Sequence, residues 1–542
     1  MPMKSSLSLL FAAAGLLSAC GDSQQADASR PALFIASEGQ VSVKDATPAN
    51  ASYYAAARFL EQASWGPSPS SVAELQRLGY SAWIDQQLLK PATILKAPGY
   101  VVDYEDQNRA ASDLARGWSR LRFMDNALGG QDQLRQRMSW ALYGFIVANG
   151  NAYGTVEYMN TMQKHSLGSF KDLLRAVTLS PVMGTFLNND QNEAGKPNEN
   201  YARELMQLFS VGLVRLNMDG SIQRDANGKP LETYTQQDVI GATKALSGWD
   251  KDWRENLPQT NWGNFGMPMK PRGRKEAHNF EQKLVLGTVI PAGQSVQADL
   301  ESVLDILVNH PNTAPFVSRR LIQSLVSSNP SPQYLSRISQ VFVSSKGDLG
   351  QVVRAILMDP EARMGDNPAL QTKTVGKIKE PILYNTNLLR AMGCTSAVID
   401  KNNINTAFLP VRQDIYGAPS VFGYHSPDHK APESLTPAPE QKLLNTNSFN
   451  NRSGSISWQM DSPQTLLDAG CELNLFRQAA NTSDEKLLQL VNERFFKGAM
   501  PQPLREGAKN LFSKTLNNEP VDRKIGQLLG VMTSTPTYGV VK

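Results

Sequence analysis

Glu199-Asn200-Tyr201-Ala202-Arg203-Glu204-Leu205-Met206-Gln207-Leu208-Phe209 sets Tyr201, Leu205, Leu208 and Phe209 on one side of a helix. Asn200, Arg203, Glu204 and Gln207 fall on the other side. Apolar residues three and four apart predict an amphipathic helix, and its polar side carries two (i, i+4) pairs, Glu199 with Arg203 and Asn200 with Glu204. Working outward, the same period fills residues 108–128, 132–149, 153–165 and 168–178 before it. It returns in residues 298–309, 313–327, 331–344 and 348–357, and again across 465–535. Toward the N-terminus, Ser70 is read as the cap of a helix carrying Val72, Leu75 and Leu78, with Gly79 as its left-handed end. Thr235-x-x-Asp238 resembles a capping box and opens a helix that ends near Gly248-Trp249.

Strand signals are few. Asp219-Gly220 and Asn227-Gly228 are turn dipeptides flanking short extended segments, which predicts a small β-hairpin within residues 213–234. Two stretches read as long loops. Residues 250–277 are rich in Gly, Pro, Trp and Asn and carry the basic run Lys270, Arg272, Arg274 and Lys275; residues 405–465 are dense in Pro, Ser and Asn. The expected class is mainly α: a large multi-helix domain with a minor β-hairpin and long loops.

With 542 residues, length alone predicts roughly two to four domains. A content of 41% hydrophobic and 19% charged residues is that of a globular chain, and a net charge of +4 over this length predicts no nucleic-acid surface. The N-terminus predicts export. Lys4 gives a positive start, residues 7–17 form an apolar stretch of signal-peptide length, and Leu17-Ser18-Ala19-Cys20 reads as a lipobox. Residues 1–19 are then a signal peptide, Cys20 is the lipidation site, and residues 20–50 are a flexible tether to a domain spanning 51–542. Gly21 follows the cysteine, where an Asp resembles an inner-membrane retention signal, so the outer membrane is the expected destination in a Gram-negative cell. Cys394 and Cys471 remain, the minimum for a disulfide in an oxidising compartment; two separately buried thiols account for them equally well.

Catalytic signatures are sparse. The chain lacks H-E-x-x-H, a Walker loop, a G-x-G-x-x-G after a strand and a G-x-S-x-G elbow. His425 and His429 stand four apart, but Pro427 places them in a loop, where an exposed pair is the plainer account and no metal is assigned. The stretch 188–195 is crowded with oxygen donors, yet Tyr201 stands where a calcium loop opened by Asp190 needs its bidentate Glu, so turn formation leads. Glu199, Asn200, Arg203 and Glu204 form the most suggestive group: a carboxylate beside a guanidinium orients a polar ligand, though a surface helix face with an ordinary ion pair is the plainer account of the spacing. Arg319-Arg320 reads either as an anion clamp or as a solvated face.

Several longer stretches carry a resemblance. Ala57-Arg58-Phe59-Leu60-Glu61-Gln62-Ala63-Ser64-Trp65-Gly66-Pro67, the 198–209 stretch, and Tyr234-Thr235-Gln236-Gln237-Asp238-Val239 running to Ser247-Gly248-Trp249 resemble the large bacterial family called domain of unknown function 1800. So do Asn309-His310-Pro311-Asn312, the run from Pro315 to Ile322, the stretch Ser328-Asn329-Pro330-Ser331-Pro332, and Ala418-Pro419-Ser420-Val421-Phe422. The likeness covers residues 55–540 in order. One departure is His425, where family members usually carry an aromatic. The resemblance implies one continuous domain and an exported location. It also implies a partner of the family called domain of unknown function 1501, which looks like the phosphatase and sulfatase superfamily. It supplies no activity and no cofactor. The expected function is therefore an accessory or binding lipoprotein at the envelope. The alternative is a hydrolase acting on an envelope or extracellular polymer, with Glu204 or Glu199 as acid/base, Arg203 orienting, and His278 or His310 from a neighbouring segment. Asn200, His310, Arg319 and Arg320 are its expected ligand contacts, and Trp249, Trp253 and Trp262 are read first as buried and second as sugar-stacking. A structural metal-binding module is the third reading, resting on His425 and His429.

Overall fold

Short polar side chains fix where the helices begin. In the computed structural model, which describes residues 51–97, 109–150, 152–253, 264–370, 376–396 and 413–542, the Ser52 hydroxyl accepts the Ala55 N–H at 3.1 Å and opens helix Tyr53–Ala63. The next helix, Pro69–Leu78, is capped by Ser68 rather than Ser70. Proline fits the first helical position because its missing N–H has no partner there anyway, so Pro69 moves the start upstream, and Ser68 and Ser71 close a reciprocal capping box. Gly79, at φ 78°, ends this helix and begins Tyr80–Leu89. The Thr235–Asp238 capping box is present, and Asp238 also accepts the Leu286 N–H at 2.6 Å. Signal peptide, Cys20 and tether lie outside the described residues.

Among the described residues 23 α-helices stand against six strands of two or three residues, so the protein is mainly α. The helix expected over 132–149 is Gln133–Tyr143; the chain leaves it at Gly144, whose carbonyl lies so close to Gly423 that a Cβ there would sit 2.9 Å away. The expected hairpin at 213–234 is realised as isolated antiparallel bridges, Val214↔Glu232, Leu216↔Ile222 and Arg224↔Pro230, folded about Gly220 and Gly228 at φ 79° and 80°. Three short segments around two turns do not sustain a ladder. A regular hairpin forms instead where none was expected: Lys283–Val285 pairs with Thr288–Ile290 through Leu286 and Gly287, both at positive φ.

The 405–465 stretch is also a correction, because Thr446–Asp461 is a helix. Its Asn- and Ser-rich composition has weak intrinsic preference for helix, and packing supplies the rest. Buried Ile456 and Met460 lie against helix Val521–Thr533, where a Cβ on Gly526 would stand 2.6 Å from the Met460 Cβ. Only a glycine permits that approach. Buried apolar side chains from Ala51 to Tyr538 form one contiguous core, and strand Lys377–Ile378 pairs antiparallel with Val540–Val541 to bring late sequence against the middle of the chain. Among the described residues no helix is long and apolar enough to cross a membrane.

Glu61 and Arg58, charged and buried in this core, are paired. Glu61 lies between Lys379 and Lys497, each 2.9 Å away, and Arg58 bonds Asp366 at 2.8 Å. Burial opposes the ionised Glu61, but the two ammonium groups win and hold its pKa down at about 2. Cys394 and Cys471 form a disulfide, with Cα atoms 3.8 Å apart.

Candidate functional site

Helix Asn200–Gln207 buries Tyr201, Ala202, Leu205 and Met206 and leaves the polar face outward. Glu199 meets Arg203 at 2.8 Å, and Gln236 closes the group: its amide nitrogen donates to both Glu199 oxygens at 3.0 and 2.9 Å, and its oxygen accepts from Arg203 at 3.0 Å. Asn200 donates to Asn188 at 3.2 Å. The face therefore folds onto its own neighbours. Glu204 differs. Its Oε2 is buried with no hydrogen-bond partner among the described residues, and burial raises its carboxyl pKa against the opposing pull of Arg203.

That direction gives a test. An acid whose folded pKa exceeds its unfolded value costs stability once ionised, and the cost vanishes as pH falls below the unfolded value. Glu204→Gln is expected to leave the melting temperature unchanged or slightly higher at pH 7, with the difference closing near pH ~4. A clear loss at pH 7 would instead mark the carboxylate as a structural partner.

The two histidines expected beside this face are engaged elsewhere. His278 is buried, with Nδ1 2.9 Å from the Ser247 carbonyl oxygen and Nε2 3.1 Å from Asp299 Oδ2, within ion-pair distance but outside hydrogen-bond alignment. Asp299 in turn holds the buried Lys283 ammonium. His310 sits at the turn after helix Val296–Asn309, where its Nδ1 accepts the Asn312 N–H at 3.2 Å. Asn312 was not singled out in the sequence, yet it is the residue that ties this turn to the segment after the 200–207 helix. Its amide donates to the carbonyls of Val211 and Val214, and its oxygen accepts from the Leu216 N–H. A buried asparagine in a His-Pro-Asn turn is the available signal.

The other candidates sort by their partners. Asp190 faces Lys251 at 3.2 Å, while Glu193 meets Arg272 at 3.2 Å and Arg274 at 2.5 Å. The oxygen-rich stretch and the basic loop thus neutralise each other, and Lys270 adds a pair with Asp252 at 2.9 Å. Trp249 is buried and Trp253 exposed; Trp262 lies outside the described residues. The loop 425–429 is divided three ways. Asp428 takes Arg319 at 2.8 Å, His429 faces Gln441 at 3.0 Å, and His425 lines a cavity. Among the described residues no group of three or more His, Cys, Asp or Glu is placed to hold a metal ion.

The cavity measures about 60 Å³ and is lined by charge as well as rings: Arg320, Lys377, Glu380, His425 and Glu440 beside Trp140 and Tyr424. Helix Thr313–Leu325 supplies Arg320, Gln323 and Ser324, and the pairing of Lys377–Ile378 with the C-terminal strand places Lys377. Lys377 meets Glu440 at 3.1 Å and donates to the Ser324 carbonyl at 2.7 Å. Arg137, fully buried, donates to the same carbonyl. Burial disfavours an ionised Glu380, but Lys377 and Arg137 overcome it and lower its pKa. Burial depresses the pKa of Arg320 to about 10 and also keeps that of His425 low, against the pull of Glu380 and Glu440.

Fold and site together define a mainly helical protein with a charged cavity and a self-paired polar face. The chain belongs to the family described as Protein of unknown function (DUF1800), whose model matches residues 58–540. Among curated proteins and among solved structures nothing matches it.

Proposed function

We propose that this chain is an exported, lipid-anchored protein of the outer membrane that acts as an accessory or binding component, working with a partner of the domain of unknown function 1501 family. The observation that carries the non-catalytic reading is that, apart from Glu204, the expected machinery is engaged with protein groups. Glu199, Arg203 and Gln236 satisfy one another, His278 is committed to Ser247 and Asp299, and His310 to Asn312. General acid/base work needs a group within hydrogen-bond reach of a substrate proton, and these groups are already bonded to protein. Export is supported by the lipobox and by the Cys394–Cys471 disulfide, a bond that persists in oxidising compartments.

Cys20→Ser is expected to move the protein from the membrane fraction to the soluble one; unchanged membrane association would overturn the anchor. A pull-down of the native lipoprotein in mild detergent is expected to retain a phosphatase- or sulfatase-like partner in stoichiometric amount. A clean monomer would overturn the accessory reading and direct assays to the pure chain with glycan and ester substrates.

A further inference from the structure

Buried cations elsewhere in this core have matched acceptors. Lys379 has Glu61, Lys283 has Asp299, and Arg390 donates to the carbonyls of Gly66, Ala127 and Leu128. Arg320 does not. Among the described residues no carboxylate lies within ion-pair distance of it, and no hydrogen bond holds it. Its guanidinium rests over the Phe316 ring, 5.0 Å from the centroid, and faces the cavity. Its neighbour Arg319 pairs with Asp428 at 2.8 Å. Arg320 is half-buried, and a partly desolvated guanidinium with no acceptor is available to one supplied from outside.

The cavity's charges point the same way. The two carboxylates at the cavity have cations of their own: Lys377 meets Glu440 at 3.1 Å, and Lys377 and the buried Arg137 both act on Glu380, which leaves Arg320 outside these pairings. At the same cavity the His425 Nδ1 is buried with no hydrogen-bond partner among the described residues, a second polar group lacking its complement. One water needs roughly 10–15 Å³, so the cavity admits a group of several heavy atoms. We propose that this cavity binds a small monoanionic oxyanion, a carboxylate or a sulfate ester group, held by the Arg320 fork with His425 completing its hydrogen bonds. A guanidinium matches either group two-pronged, and this proposal stands independently of the lipid anchor and of any partner protein.

The test is calorimetric titration of the purified full chain with sodium acetate and with sodium methyl sulfate, at constant chloride. At least one is expected to bind saturably, and the tighter of the two names the head group. Arg320→Met is expected to weaken binding by roughly tenfold or more, the loss of a charged hydrogen-bonding group. Because it removes a half-buried charge that has no acceptor, it should leave the melting temperature of the ligand-free protein unchanged or raised. Arg319→Gln is expected to bind as the native chain does. Should Arg320→Met fail to fold, Arg320→Lys keeps the charge, loses the fork and is expected to bind more weakly than the native chain. Absence of saturable binding by both anions, or native affinity in the foldable Arg320 variant, overturns the site.

Discussion

Replacing both Cys394 and Cys471 by alanine is expected to lower unfolding stability by about 4–5 kcal/mol, the figure the chain-entropy relation gives for a loop of this size. The bridge spans a sequence separation of 77 residues, so most of the loss arises in the unfolded chain, which gains the freedom the closed loop denied it. The folded side needs little rearrangement. Each cysteine follows a glycine at positive φ that ends a helix, Gly393 at 77° and Gly470 at 72°. Each also closes the same cap, Cys394 N–H to the Leu389 carbonyl and Cys471 N–H to that of Leu466. The two turns then bond reciprocally, Thr395 N–H to the Ala469 carbonyl at 3.0 Å and Glu472 N–H to that of Met392 at 2.9 Å. The sulfurs are thus brought together by backbone geometry that survives their loss. Urea unfolding of the double variant beside the native chain, with and without reductant, checks this. A midpoint that barely moves, with reductant changing nothing, would count against the bridge.

That pair of caps shows what local sequence carries. Gly-Cys occurs at both sites, and a glycine ending a helix is a local event; that the two turns meet is not. The same boundary runs through the whole protein. The apolar stripe of 201–209 and the Thr235–Asp238 box depend on neighbours within a helical turn or two, and both were legible. Helix Thr446–Asp461 was not, because its stability resides in the Gly526 contact with Met460, more than sixty positions downstream. The charged cavity was least legible of all. Trp140, Arg320, Lys377, Tyr424 and Glu440 come from distant segments, and each alone reads as an ordinary core or surface residue. Arg319-Arg320 stood out as a pair, yet only tertiary structure separates their roles, Arg319 bonded to Asp428 at the surface and Arg320 turned inward. The same holds for His425 and His429, whose four-residue spacing suits a chelate on a helix but not in a loop that points them at different partners.

Asp299→Ala is expected to cost about 3–5 kcal/mol, the range for removing one member of a buried ion pair. Asp299 and Lys283 have fully buried side chains, and loss of the carboxylate strands an ammonium in apolar surroundings. Two further contributions disappear with it. Asp299 lies in the first turn of helix Val296–Asn309, where a negative charge is favoured by the backbone dipole, and it is the group opposite His278 Nε2. His278 also lies close against Gly248, where an added Cβ would stand 3.1 Å from the histidine Cβ. The decisive comparison is a second variant, Lys283→Met with Asp299→Leu, which replaces the pair by apolar side chains. If the pair serves only to balance buried charge, this double change is expected to recover most of the loss seen in Asp299→Ala, since no unpaired ion remains. Recovery in urea unfolding would show that the coupling of strand Lys283–Val285 to the helix is electrostatic self-compensation. Failure to recover would show that the pair fixes the placement of His278 and the 283–290 hairpin in a way that apolar packing does not replace.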